Sequence, residues 1–83
     1  METILAEISV PACSAAYDFM LPEGVSVGIV VREIVRILET TGLNIGFDAE
    51  NTHLCDIDSH NVLDPSLTLA EQGVRDGVCL MIV

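Results

Sequence analysis

The sequence predicts an α+β roll, a mixed sheet of four to five strands packed on one main helix. Three observations lead there. One stretch, Ser26 to Gly42, repeats its apolar residues at helical spacing, and no second stretch matches it. Two runs near the N-terminus alternate apolar and polar residues around a short breaker. The chain then closes on an apolar run, Val78 to Val83, which reads as a last strand. A helix with one apolar stripe needs cover, and here only strands can supply it.

The elements follow in order. In the first strand Ile4, Ala6, Ile8 and Val10 share one side, with Leu5, Glu7 and Ser9 on the other. Pro11-Ala12-Cys13-Ser14 breaks it. In the second strand Tyr17, Phe19 and Leu21 face in and Asp18 and Met20 face out, which completes a hairpin. Pro22-Glu23-Gly24 leads into the helix. At ~100° per residue Val27, Val30, Val31, Ile34, Val35, Leu38 and Thr41 form one stripe, opposite Arg32, Arg36 and Glu39. Ser26 is expected to cap the helix through its hydroxyl, and Gly42 to turn left-handed after the last turn. Ile29 falls among the charges, where a single exposed isoleucine is expected to be incidental.

Leu43 to Thr52 reads as a loop, with Leu43, Ile45 and Phe47 tacking it onto the core. A short strand is expected near His53 to Ile57, then a turn at Asp58 to Asn61 and a return strand at Val62-Leu63. Asp64-Pro65-Ser66 is a turn, since Pro presets φ and Asp and Ser bond the local backbone. Leu67 to Gln72 is one helical turn ended by Gly73, and Arg75-Asp76-Gly77 is a tight turn before the last strand. The crossover after the second strand lets the first and last strands run side by side and parallel.

The 83 residues are expected to form one domain, 1–83. No stretch approaches the ~20 apolar residues of a membrane span, so direct membrane insertion is not expected. METILAEISV carries acids where an export signal needs basic residues, which points to the cytoplasm. Thirteen acids oppose three arginines, there is no lysine, and the formal net charge is −10. Such a chain has almost none of the cations that nucleic-acid phosphates need, and the same charge disfavours an anionic bilayer. It can attract basic protein surfaces, or its acids can simply keep an apolar domain dispersed. Cys13, Cys55 and Cys79 are odd in number with no CxxC spacing, so they read as small apolar fillers rather than a disulfide framework.

The tail LDPSLTLAEQGVRDGVCLMIV, with Thr68-Leu69, a helical turn, Gly73-Val74, a charged turn with glycine and a final strand, resembles the most recognisable stretch of the ubiquitin β-grasp fold. Within that fold the chain looks closest to the YukD/EsaB family, the ubiquitin-like components of bacterial type VII secretion systems. It is also similar to the cytoplasmic ubiquitin-like domain of the actinobacterial secretion protein EccD. The resemblance covers nearly the whole chain. It implies a β-grasp roll in which the first strand lies between the second and the last, with the third flanking the last. Unlike ubiquitin, the sequence ends Met81-Ile82-Val83 without diglycine and has no lysine, so a modifier or sulfur carrier is not expected.

Reactive chemistry finds few candidates. His53 and Cys55 stand two apart and would share one face of a strand, the spacing of a Cys–His pair or of two metal ligands. A zinc site needs about three or four protein ligands, however, and no further cluster supplies them. Asp56-x-Asp58-x-His60 lacks the glycine and distant glutamate of a calcium loop. No catalytic residue, metal or cofactor is expected. What remains is the sheet face turned away from the helix. Leu5, Met20, Leu54 and Met81 are expected to form one apolar patch there, rimmed by Glu7, Asp18 and Asp56. The alternative is scattered exposure on a small apolar domain.

The expected function is therefore a non-enzymatic adaptor that docks by this face onto a type VII secretion component. The resemblance implies the membrane subunits or the secretion ATPase. A homodimer through the same face is an alternative occupant. The rival class is an accessory subunit of another bacterial complex, such as a multicomponent oxygenase; a sulfur carrier would carry an activated C-terminus.

Overall fold

The structure, a computed structural model, describes residues 2–42 and 48–83. Leu43, Ile45 and Phe47, expected to tack the loop onto the core, lie outside the described residues. Strands β1 (Thr3–Val10), β2 (Ala15–Pro22), β3 (Leu54–Asp56), β4 (Asn61–Val62) and β5 (Val78–Ile82) form a sheet in the order β2-β1-β5-β3-β4, crossed by helix α1 (Val27–Thr40). β1 pairs antiparallel with β2 and parallel with β5, and β3 pairs antiparallel with both β5 and β4. This is the mixed-sheet roll that the alternation and the crossover predict.

The core lies between sheet and helix. Six residues of the expected stripe, Val27, Val30, Val31, Ile34, Val35 and Leu38, are buried, and they meet Ile4, Ala6, Ile8 and Val10 of β1 and Leu80 and Ile82 of β5. Thr41 is the exception. It is exposed at the helix end, where its hydroxyl donates to the Leu38 carbonyl. Gly42 is left-handed at φ +86°, as expected of the residue that ends this helix. Between β1 and β2, Pro11–Cys13 make a single 3-10 turn and Ser14 turns left-handed.

The helix start departs from expectation. Ser26 occupies the cap position, but its hydroxyl makes no capping bond. The free N–H groups of Val27 and Gly28 donate instead to the carbonyls of Leu67 (2.8 Å) and Pro65 (2.9 Å). Gly28 permits this approach, since a Cβ there would meet the Pro65 oxygen at 3.2 Å. The Gln72 side chain holds the accepting turn in place: its carbonyl accepts from Asp64 N–H (2.7 Å) and its amide donates to Asp64 O (3.0 Å). Thr68 and Glu71 form a reciprocal capping box, each side chain bonding the other's backbone N–H at 3.0 Å. The Asp64 carboxylate accepts from the backbone and hydroxyl of Ser66, which holds its pKa below the ordinary value.

Candidate interaction surface

The pairing registers place the outward residues in rows across the sheet. One row runs Ala16, Ser9, Met81, Cys55, Val62. The next holds Asp18, Glu7 and Cys79, and the third pairs Met20 with Leu5. Leu5 and Met20 are exposed, Met20 at 61%. Met81 is half-buried.

Leu54 is not on this face. It is fully buried, because it pairs with inward-facing Ile82, and its neighbour Cys55 stands opposite Met81 instead. The strand is thus one residue out of the expected register, which exchanges the two side chains between faces. A second correction concerns the patch itself. Glu7 and Asp18 do not rim it; they face each other directly across β1 and β2. They separate Leu5 and Met20 from an apolar row of Met81, Cys55 and Val62, the last 60% exposed. Two like charges directly opposite destabilise a sheet slightly, and a cation laid over them relieves that.

A further apolar feature, off the buried stripe of the helix, lies where α1 passes β2. There Phe19, Leu21, Val25, Ile29 and Ile37 line a cleft of about 220 Å³ with Glu33. Ile29, expected to be incidental, is 52% exposed, and Ile37 is 39% exposed. The two stand eight residues apart with Glu33 between them, an i, i+4, i+8 row along one wall of the helix whose spacing is legible in the sequence. Glu33 is already engaged by Arg36 at 2.8 Å, and that contact raises the arginine's pKa.

The groups considered for reactive chemistry are placed separately. His53 is exposed, its backbone paired in both directions with Val83 at 2.9 Å, and it lies beside Gly28, Arg32 and Pro65. Cys55 is half-buried, with its thiol 3.8 Å from the Asp56 carbonyl. Asp56, Asp58 and His60 form a turn in which Asp56 accepts from both Asp58 and His60 N–H. Among the described residues no three His, Cys, Asp or Glu side chains converge as metal ligands. No helix there is long and apolar enough to cross a membrane. Glu23 shares a hydrogen bond with the Glu2 carboxyl, which raises the Glu23 pKa above its ordinary value.

Solved structures with the same fold include the ubiquitin-like domain of EccD5 from Mycobacterium xenopi, 20% identical with a TM-score of 0.79, covering 100% of this chain and 94% of that one. The ubiquitin-like domain of Plasmodium falciparum Dsk2 gives 14% identity and a TM-score of 0.76, covering 98% and 96%. Caldiarchaeum subterraneum ubiquitin gives 16% and 0.74, covering 96% and 90%. No curated protein matches the sequence significantly. The β-grasp order, with first and last strands parallel at the sheet centre, is therefore the ubiquitin-like fold. Residues 5–82 match the family described as WXG100 protein secretion system (Wss), protein YukD, and to that family this chain belongs.

Proposed function

We propose that this protein is a non-enzymatic adaptor of a WXG100-type, or type VII, secretion system, working in the cytoplasm by contact with another protein of that system. The observation that carries this is the family match over residues 5–82. The outward sheet face supports it: Leu5, Met20 and Met81 supply apolar contact and adaptable methionines, with Glu7 and Asp18 between them. Such a face suits a partner that brings a cation between two apolar contacts. The basic cytoplasmic ends of membrane-spanning subunits are one source, and a basic surface of the secretion ATPase is another. The acidic chain, at −10 with three arginines, favours approach to either.

The experiment is co-purification of the secretion-system subunits on the tagged protein. Met20→Asp with Met81→Asp is expected to abolish it while the far-UV circular dichroism stays that of the parent. Glu7→Lys with Asp18→Lys is expected to weaken it and to remove its salt dependence. Undiminished co-purification by both folded variants would refute docking through this face.

A further inference from the structure

β2 is an edge strand. It begins the sheet order, pairs on one side with β1 over eight residues, and among the described residues no strand lies on its other side. Alternate N–H and C=O groups of such a strand point outward, ready to pair with another extended chain. Proteins usually blunt a long edge with charged side chains, a bulge or an internal proline. From Ala15 to Leu21 β2 has no bulge or proline and a single charge, Asp18, and Pro22 stands only at its end. Beside this edge lies the apolar cleft walled by Phe19 and Leu21 from the strand and by Ile29 and Ile37 from the helix.

We propose that the β2 edge and its cleft receive an extended peptide segment of a different protein, added to the sheet as a further strand, apolar at alternate positions and flanked by Lys or Arg. The backbone ladder calls for an extended occupant, since a helix offers no free main-chain groups to the edge. The cleft calls for side chains at every second position, because only those point to the helix side of a strand. Charge selects the flanks. Asp18 is exposed on β2 and Glu23 follows the strand, whereas Glu33 at the cleft is already paired with Arg36, and none of the three arginines lies on the strand. The same charge argues against a second copy as occupant: each carries −10, has no lysine, and would bring a second Asp18-bearing strand to the first. The inference rests on the edge and the cleft, and holds whichever system the protein serves.

The test selects binders from a displayed library of random nine-residue peptides against the whole protein. Enriched sequences are expected to alternate apolar residues and to carry Lys or Arg at their ends. Their affinity should fall at least tenfold for the double variant Ile29→Gln, Ile37→Lys, whose side chains are both exposed in the fold. It should also fall for Asp18→Lys, and as salt rises from 50 to 500 mM (on the order of the range that screens exposed charges). Binding should slow amide exchange across Tyr17 to Leu21. Peptides with three- and four-residue apolar spacing, affinity unchanged in the double variant, protection confined to β5, or no enrichment would each overturn the proposal. So would a concentration-dependent dimer that the double variant abolishes.

Discussion

Replacing Leu54 with alanine tests the register on which the outward face depends. Leu54 is fully buried, opposite Ile82, and its carbonyl accepts the Leu63 N–H at 2.8 Å. Leu54→Ala removes three carbons from the core, about 2.4 kcal/mol of lost transfer at ~0.8 kcal/mol each. The cavity adds to this, because a site held between sheet and helix cannot collapse fully, and the sum is about 2.5–4 kcal/mol. A chain of 83 residues has a total stability on the order of 4–12 kcal/mol. The melting temperature is expected to drop by about 10–30 °C. Cys55→Ala, at a half-buried site on the outward face, should cost under about 1 kcal/mol. Urea unfolding followed by far-UV circular dichroism measures both, with an unchanged m-value showing that the unfolded state is the same. A mild Leu54→Ala paired with a costly Cys55→Ala would mean that β3 is slipped by one residue, and the composition of the outward face would fall with it.

Three further outcomes are expected. Thr68→Ala breaks the capping box with Glu71 and should destabilise by about 1 kcal/mol in the same urea assay. His60 sits at φ +60°, so His60→Gly should stabilise by about 0.5–1 kcal/mol, read as a higher urea midpoint. The Glu23 pKa is raised by its shared bond with Glu2, so that bond's contribution is full below the unfolded carboxylate pKa and is lost as pH rises through the folded value. Asp64, lowered by Ser66, runs the other way: its contribution is present above the unfolded pKa and lost as pH falls through the folded one. Glu23→Gln should therefore gain in melting temperature relative to the parent between pH 4 and pH 7 (roughly the span above an ordinary carboxylate pKa). A flat difference across that span would contradict the assignment.

Much of the architecture is legible from periodicity alone. The alternation in β1 places Ile4, Ala6, Ile8 and Val10 inside, and the helical stripe identifies six buried positions. Periodicity fails where a strand is too short to have one. In Leu54-Cys55-Asp56-Ile57 each face receives one polar or small and one apolar side chain, so the pairing with β5 decides. The expected Ser26 hydroxyl cap fails for a different reason. Its acceptor role is taken by carbonyls some forty residues away, and local sequence carries no sign of them. Of the candidate surface, Leu5, Met20 and Met81 face outward as the alternation implies. That Glu7 and Asp18 divide the face follows from cross-strand register, which the separate strands do not disclose.

The way α1 is sealed governs the order in which this chain can become complete during synthesis. Its first two amides have their acceptors at Pro65 and Leu67, and the central pairing of the sheet joins the first strand to the last. A nascent chain that has emerged only through Asn61 has its hairpin and helix but neither the lid of the helix nor the middle of the sheet. Its earliest segments then wait, incompletely buried, for Pro65 and Leu67 to meet the helix start and for β5 to pair with β1.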